Sequence, residues 1–295
     1  MKCKDQKQKK ILNFSSSLPK PFNIRLTGEK NFLFTANKSF SQNFLNDTQI
    51  CDQIALSCGN LTNNIVIEIG AGMGSLTQAI LALHPGVEII AIEADTRFIP
   101  VLQEIAVYYS DCNLQIIERD ALQFDFQSLV EKYKDRKMNI IANLPYNIGT
   151  ELVFKWLQVG FLSHIDSITI MLQKEVVNRI IAENSSKAYS WLSILSQLLC
   201  DVELLFDVPK EAFIPQPKVT SSVVSLRPKK SVIPHNIEKL KMICHELFLH
   251  RRKTVKTIIN KSNKIQYILP YIDEISLKSR PEDLNISTLC RLSLL

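Results

Sequence analysis

Residues 65–74 read Ile-Val-Ile-Glu-Ile-Gly-Ala-Gly-Met-Gly, an apolar run that ends in three alternating glycines. Apolar residues then recur at helical spacing from Ser75 to Leu83. This pattern predicts a strand, a glycine turn and a helix. Because glycine has no side chain, a ligand can approach the backbone of such a turn closely. A dinucleotide fingerprint would have a further glycine at position 75, where serine stands, so the turn also suits a ligand without phosphate.

Three more units of strand and helix follow along the chain. Apolar strands are predicted at 87–92, 114–117 and 139–142, each followed by a segment with helical periodicity. This alternation predicts an α/β fold with a mostly parallel, Rossmann-like sheet and helices on both faces. Ligands of such sheets bind at the carboxyl ends of the strands. The residues that follow these ends are therefore the candidates for a binding site.

The pattern changes toward both ends of the chain. The first residues are rich in lysine, with serines and prolines and few apolar residues, which is typical of a disordered segment. From Lys229 onward the sequence has charged helical patterns and no strand pattern. We therefore predict three parts: a basic, disordered N-terminal arm at 1–37, a catalytic domain at 38–228 and a small all-α domain at 229–295.

The composition is that of a globular protein in a reducing compartment. Hydrophobic residues make up 46% and charged residues 22% of the 295 residues, which is ordinary for such proteins. No apolar run approaches the roughly 18 to 20 residues needed to span a bilayer. The seven cysteines form no C-x-x-C pair, which argues against a disulfide framework or a zinc site. We therefore expect a cytoplasmic protein without a membrane segment or a metal ion.

The net charge of +6 is distributed unevenly. Residues 1–38 carry +7, residues 39–228 carry −8 and residues 229–295 carry +7. An acidic body with basic ends suits a polyanionic partner, because attraction to phosphates is long-ranged and independent of sequence. The alternative is that the lysine-rich ends only keep the protein soluble.

The segment Asn143-Leu144-Pro145-Tyr146 directly follows the fourth predicted strand. An amide, a backbone carbonyl and an aromatic ring at a strand end form a slot for a flat base that carries an amino group. The carbonyl oxygens accept the two N–H hydrogens of the amine, and the aromatic face holds the ring by stacking. The alternative is an ordinary turn, since Asn and Pro are common turn residues.

Two acids stand at the ends of the second and third predicted strands. Glu93 is placed to accept both hydroxyls of a ribose, and Asp120 is placed to accept from an adenine amino group. With the glycine turn and Asn143, these acids resemble the site of the class I S-adenosylmethionine-dependent methyltransferases. An unrelated nucleotide-binding sheet with coincidental acids is the alternative.

Further segments resemble one family, the ribosomal RNA adenine N6-dimethyltransferases. Residues 38–47, Lys-Ser-Phe-Ser-Gln-Asn-Phe-Leu-Asn-Asp, are similar to the K-x-x-G-Q-N-F-L-x-D segment that opens these enzymes, with Ser41 in place of glycine. Residues 143–148 match the catalytic motif, and residues 213–219 match the F-x-P-x-P-K-V loop. Residues 171–180, 189–193 and 248–255 are similar to other family blocks, so the resemblance extends from Lys38 to the end of the chain.

The resemblance implies a cofactor and a set of site residues. The cofactor would be S-adenosylmethionine, bound by Asn43, Leu45, Gly70, Glu93, Asp120 and Asn143. The catalytic residues would be Asn143, Leu144, Pro145, Tyr146 and Phe213, with Phe213 packing on the target adenine opposite Tyr146. On the residues alone, Asp47 also suits a helix N-cap, and Phe213 also suits a buried loop anchor. RNA phosphates would be held by Arg251, Arg252 and Lys253, although a solvated helix face is the ordinary interpretation of such a run.

The family implies a reaction and a partner. The reaction would be the transfer of two methyl groups to N6 of each of two adjacent adenines of small-subunit ribosomal RNA. The partner would be an immature small ribosomal subunit, and we expect the protein to be a monomer. One alternative is the erythromycin-resistance type, which modifies large-subunit RNA and shares the Asn-x-Pro-Tyr turn. The others are a noncatalytic RNA-binding or transcription-accessory relative and a DNA adenine methyltransferase, for which Leu144 and the short C-terminal domain are atypical.

Overall fold

The structure is a computed structural model that describes residues 42–230 and 236–295, together with two short strands, β1 (Phe22–Arg25) and β2 (Asn31–Phe34). These two strands pair antiparallel, with Phe22 opposite Phe34. The sequence predicts that residues 1–37 are largely disordered, and this strand pair lies within that segment. In β1 the apolar residues Phe22 and Ile24 alternate with Asn23 and Arg25, which is a strand signal. The rest of the expected arm, and Ser41, lie outside the described residues.

A seven-stranded sheet forms the centre of the fold. In spatial order its strands are β6 (Asn113–Glu118), β5 (Glu88–Glu93), β4 (Ile65–Ile69), β7 (Met138–Asn143), β8 (Ile165–Gln173), β11 (Ser221–Pro228) and β9 (Cys200–Val208). The first five strands run parallel, and β11 is antiparallel to β8. The predicted α/β fold with a mostly parallel sheet is therefore confirmed, with strand ends within a few residues of the prediction.

The central strand β4 is buried along its whole length. Its apolar run fits a parallel strand that is covered on both faces. Ile69 of β4 is level with Ile92 of β5 on one side and with Ala142 of β7 on the other. Because the chain order reverses between β4 and β7, the residues after these strands border a crevice at one edge of the sheet.

Six α-helices between residues 42 and 173 precede or connect the parallel strands of the sheet. They are α1 (Thr48–Ser57), α2 (Ser75–Leu83), α3 (Ile99–Tyr108), α4 (Gln127–Lys132), α5 (Gly149–Trp156) and α6 (Val159–Leu162). Asp47 caps α1 by accepting the backbone N–H groups of Gln49 at 2.9 Å and Ile50 at 3.2 Å, so the predicted cap is confirmed. A short strand pair, β3 (Phe44–Leu45) with β10 (Phe213–Ile214), lies outside the main sheet.

A second compact unit contains residues 175–203 and 228–295. Its helices are α7 (Lys174–Ile180), α8 (Trp191–Leu199), α9 (Ile237–Leu249), α10 (Val255–Lys261), α11 (Glu274–Lys278) and α12 (Ile286–Ser293). The sequence assigns residues 175–203 to the catalytic domain, whereas in the structure they pack with the C-terminal helices. The Ser185 N–H donates to the Glu282 carbonyl at 2.6 Å, and the rings of Tyr189 and Phe248 are 6.1 Å apart. Such tertiary contacts leave no local signal in the sequence.

No helix of the described residues combines the length and the apolar character that a membrane crossing requires.

Candidate active site

A cavity of about 430 Å³ lies at the carboxyl ends of β4, β5, β6 and β7. Nine of the residues predicted from the sequence line it: Asn43, Leu45, Gly70, Glu93, Asp120, Asn143, Leu144, Pro145 and Tyr146. The strands explain this convergence, because their parallel register brings four sequence-distant ends to one edge. The cavity is in the size range of small-molecule and cofactor sites.

The glycine turn after β4 forms part of the cavity wall. Gly70 and Gly72 have φ values of +69° and +54°, a region that side chains strongly disfavour. A Cβ atom at Gly72 would lie 3.5 Å from the Phe44 ring, so the Phe44 segment approaches the bare backbone here. This geometry is what the alternating glycines of the sequence predict.

Glu93 lies at the end of β5 with only 6% of its surface exposed. Its two carboxylate oxygens accept the backbone N–H groups of Gly72 and Asp95, both at 2.7 Å. Burial raises the pKa of Glu93, and these two hydrogen bonds oppose the rise. Since each carboxylate oxygen can accept more than one hydrogen bond, Glu93 retains acceptor capacity for the hydroxyls of a ribose.

Asp120 follows β6 and is held by its own loop. One carboxylate oxygen accepts the Leu122 N–H at 2.9 Å, and the other accepts from the Gln123 amide at 3.4 Å. The loop therefore fixes the direction of the carboxylate while leaving acceptor positions toward the cavity.

The amide of Asn143 is oriented by a residue 100 positions earlier in the chain. Its Nδ2 donates to the backbone carbonyl of Asn43 at 3.3 Å. Since the Nδ2 atom only donates, the Oδ1 atom is the part of the amide that can accept from a ligand.

The sequence leaves open whether the Leu144 or the Pro145 carbonyl would share a target amine with Asn143. The Pro145 carbonyl accepts two N–H groups at the start of α5, from Ile148 at 3.2 Å and Gly149 at 3.1 Å. Within the described residues nothing donates to the Leu144 carbonyl, while the Leu144 N–H is bonded to Met171. The hydrogen bonds therefore favour Leu144 as the second acceptor.

Tyr146 is half-buried at the cavity, and its ring is anchored by its hydroxyl group. The hydroxyl lies 2.7 Å from the Ser221 hydroxyl at the start of β11. Burial raises the pKa of Tyr146, and the hydrogen bond with Ser221 opposes the rise. A phenol that stays neutral and fixed at its far end presents a stable ring face.

Phe213 is not among the residues that line the cavity. It is 3% exposed, pairs with Leu45 across the β3–β10 ladder and belongs to the hydrophobic core. The structure thus places it as a buried anchor, which is the alternative that the sequence leaves open. Its role against a bound adenine stays a prediction.

Two further acids are not predicted from the sequence, one that lines the cavity and one bonded to its lining residue Gln42. Glu68, within the buried strand β4, lines the cavity and accepts a hydrogen bond from Thr77 at 2.6 Å. Asp95 forms an ion pair with Arg97 at 2.5 Å and accepts a hydrogen bond from the Gln42 amide at 2.7 Å. An acid inside an apolar strand is the only sequence signal for Glu68, and nothing local connects Gln42 to Asp95.

The three basic residues predicted to bind RNA belong to the second unit and differ in their surroundings. Arg251 donates to the Lys187 carbonyl at 2.7 Å and pairs with Glu282 at 3.3 Å, so it has an internal structural role. Arg252 and Lys253 are exposed. Among residues 42–230 and 236–295, no group of three or more His, Cys, Asp or Glu side chains is arranged to hold a metal ion.

Comparisons with solved structures identify the fold. A dimethyladenosine transferase from Plasmodium falciparum matches with a TM-score of 0.70 and 26% identity, over 84% of this chain and 95% of that one. The 23S rRNA methyltransferase ErmE matches with a TM-score of 0.61 and 20% identity, over 86% of this chain and all of that one, which shows a shared fold. The fold is therefore that of the class I methyltransferases.

Sequence comparisons identify the family. The family model for ribosomal RNA adenine dimethylase matches residues 33–294. A ribosomal RNA small subunit methyltransferase A of Allorhizobium ampelinum is 40% identical over 259 residues, which cover 88% of this chain and 92% of that protein. The protein of the same name from Agrobacterium fabrum is 44% identical over 222 residues, 75% of this chain and 79% of that protein. The chain therefore belongs to the ribosomal RNA adenine dimethylase family.

Proposed function

We propose that this chain uses S-adenosylmethionine to dimethylate N6 of two adjacent adenines in small-subunit ribosomal RNA, and that Asn143 orients the target amine. The observation that carries the proposal is the hydrogen bond from Asn143 Nδ2 to the Asn43 carbonyl. It fixes the orientation of the amide, whose oxygen is the acceptor, at a cavity that also contains the glycine turn and two strand-end acids. The family match and the names of the relatives supply the substrate class.

The cavity residues fit S-adenosylmethionine. Asp120 would accept from the adenine amino group, Glu93 would accept from the ribose hydroxyls, and the turn at Gly70 and Gly72 would let the ligand lie against the backbone. Asn43 and Leu45 line the same cavity from the segment before α1. The bound cofactor supplies a methyl group that its sulfonium charge already activates.

The chain contributes to the reaction by positioning the acceptor. The lone pair of an exocyclic adenine nitrogen is delocalised into the ring, so the amine is a poor nucleophile. The Asn143 amide oxygen and the Leu144 carbonyl would accept its two N–H hydrogens, and Tyr146 would hold the ring by stacking. Correct alignment of two reactants contributes several kcal/mol to a rate. The excess proton would leave to solvent after the transfer.

The RNA must present the adenine unpaired or extruded, because stacking in a duplex hides the amine. Arg252 and Lys253 of the second unit would contact RNA phosphates, since both are exposed. Arg251 would support this region through Glu282 and the Lys187 carbonyl. An immature small ribosomal subunit as the substrate, a monomeric state and a cytoplasmic location complete the proposal.

The test is a methylation assay with labelled S-adenosylmethionine and four substrates: immature small subunits, naked small-subunit RNA, large-subunit RNA and DNA. The expected product is N6,N6-dimethyladenosine at two adjacent positions of the small-subunit RNA, identified by mass spectrometry of nuclease digests. Methylation of large-subunit RNA instead would favour the erythromycin-resistance type, and methylation of DNA would favour a DNA enzyme. Binding of RNA without methylation of any substrate would favour a noncatalytic role.

A further inference from the structure

The amide of Asn143 is oriented by its hydrogen bond to the Asn43 carbonyl. Asn43 lies outside the parallel sheet. Asn43 belongs to the segment that leads from Gln42 to the cap residue Asp47. A carbonyl in such a segment keeps its direction only if the chain is held on both sides of it. Among the described residues, the chain is attached both after Asn43 and before it.

The attachment after Asn43 is made by backbone pairing and burial. Phe44 and Leu45 form β3 and pair with β10 of the Phe213 loop. Both side chains are buried, and the Asn46 N–H donates to the Ala212 carbonyl at 2.8 Å. This side of Asn43 is therefore secured by the hydrophobic core.

The attachment before Asn43 is polar. Gln42 Nε2 donates to the Asp95 carboxylate at 2.7 Å, and Arg97 Nη2 donates to Gln42 Oε1 at 3.4 Å. Asp95 is only 4% exposed and pairs with Arg97 at 2.5 Å. Burial alone would raise the pKa of Asp95, but the hydrogen bonds from Arg97 and Gln42 outweigh it and lower the pKa. Gln42 is thus bound to an ionised carboxylate, which makes a stronger hydrogen bond than a neutral partner.

The polar attachment is continuous with the predicted ribose site. The Asp95 N–H donates to one oxygen of Glu93 at 2.7 Å, and the other oxygen of Glu93 accepts the Gly72 N–H. One set of hydrogen bonds therefore extends from the glycine turn through Glu93 and Asp95 to Gln42. The next residue after Gln42 is Asn43, which binds the amide of Asn143.

We propose that Gln42, Asp95 and Arg97 form a latch that holds the Asn43 carbonyl against Asn143, so that the cofactor site sets the direction of the methyl-acceptor site. Gln42 is then a positioning residue that acts through Asn43 and Asn143. The inference rests on the proposed function, since it assigns a role in orienting the target amine.

An exchange of donor and acceptor within the latch provides the test. Gln42→Glu places a carboxylate against the buried Asp95 carboxylate and so opens the latch. Asp95→Asn retains an oxygen for the N–H of Arg97 and tolerates Gln42 if the glutamine amide rotates, so a smaller loss is expected. When both changes are combined, the carboxylate at 42 accepts from the new amide at 95, and the latch closes again. Gln53→Glu, on the exposed side of α1, is the matched control for charge.

The primary measurement is the single-turnover rate of methyl transfer at saturating cofactor and RNA. We expect Gln42→Glu to lower this rate by about tenfold or more through misalignment, and the double variant to return within about threefold of the unmodified protein, which is strong coupling. A second measurement is the ¹H–¹⁵N signal of the Asn143 side-chain amide, identified by its loss in Asn143→Ala. This signal should shift in Gln42→Glu, return in the double variant and stay in place in Gln53→Glu.

Three results would overturn the inference. The first is a weaker cofactor affinity in Gln42→Glu with an unchanged rate at saturation, which would make the segment a cofactor cover only. The second is a double variant no better than Gln42→Glu alone. The third is a loss of rate that follows a loss of folded protein, measured by thermal unfolding of each variant. Failure of the proposed function is a separate outcome, because the unmodified protein would then not methylate the RNA at all.

Discussion

At the scale of single residues, Glu68 is the feature that local sequence least explains. It is 1% exposed within β4, and burial raises its pKa to about 7, although the Thr77 hydroxyl opposes the rise. Between its usual value of 4.5 and about 7, the folded protein retains a proton that the unfolded chain releases. The contribution of Glu68 to stability is therefore greatest at acidic pH and is lost as the pH rises through this window.

Replacement of Glu68 by glutamine tests this linkage. The amide can accept from Thr77 as the protonated acid does, but it has no charge to bury. We expect the unfolding free energy of Glu68→Gln, relative to that of the unmodified protein, to be larger at pH 8 than at pH 5. The expected change is roughly 3 kcal/mol. Urea unfolding of the ligand-free proteins at both pH values measures the difference. Parallel pH dependence in the two proteins would contradict a neutral Glu68.

Some residues of the site can be predicted from the local sequence, and others cannot. Glu93, Asp120 and Asn143 are predictable because each lies at, or within two residues of, the carboxyl end of a strand, and parallel strands bring these ends together. The internal pairing of Arg251 and the link between Gln42 and Asp95 depend on contacts between distant segments, and no spacing along the chain encodes them.

At the scale of elements, the glycine turn determines how β4 connects to α2. Gly74 is the N-cap of α2 with φ +77°, and a Cβ atom there would lie 2.2 Å from the Ile105 side chain in α3. The turn is therefore constrained both by backbone conformation and by packing. Gly86 offers a comparison, since its φ is +79° but nothing lies within 4 Å of its Cβ position.

Alanine at each of these glycines separates the two constraints. Gly86→Ala should cost about 1 to 2 kcal/mol of unfolding free energy from the left-handed backbone alone. Gly74→Ala should cost a further 1 to 3 kcal/mol, roughly, because Ile105 must move in a packed core. Denaturant unfolding of both variants gives the comparison, and Ile105→Val combined with Gly74→Ala should recover part of the loss. Equal losses at the two glycines would show that packing against α3 is unimportant.

The strands of the sheet can be predicted from sequence periodicity. The assignment of helices to one compact unit or the other cannot. Apolar runs that alternate with helical patterns suffice to predict a parallel sheet. Residues 175–203 carry helical patterns that suit either unit, and only their contacts with the C-terminal helices, such as Tyr189 with Phe248, decide the assignment.

For the whole molecule, the residues proposed to contact RNA can be distinguished from basic residues that support the fold. The chain carries a net charge of +6, so weak attraction to any RNA is expected from charge alone. Specific phosphate contacts are distinguished by their salt dependence, because each contact releases bound counterions. Arg252 and Lys253 are exposed, whereas Arg251 is engaged with Glu282.

Neutralisation of Arg252 and Lys253 together should reduce the slope of log affinity against log salt by about 1.5 to 2. Lys264 and Lys278 serve as the control pair, since they are exposed, are paired with Glu246 and Glu274, and change the net charge by the same amount. Binding titrations with small-subunit RNA at several salt concentrations measure both slopes. Equal slopes for the two double variants would show that Arg252 and Lys253 do not contact the RNA.

Arg251→Ala should instead lower thermal stability, because it leaves Glu282 without its partner.

In the proposed reaction, the Asn143 amide oxygen aligns the target amine with the methyl donor. The most direct measurement is the single-turnover rate of Asn143→Ala at saturating S-adenosylmethionine and RNA, with Asn60→Ala, an exposed asparagine outside the cavity, as the control. We expect Asn143→Ala to lose about 100-fold or more of this rate from lost alignment, with RNA affinity and thermal stability nearly unchanged. A folded Asn143→Ala protein that transfers methyl groups as fast as the control would contradict this expectation.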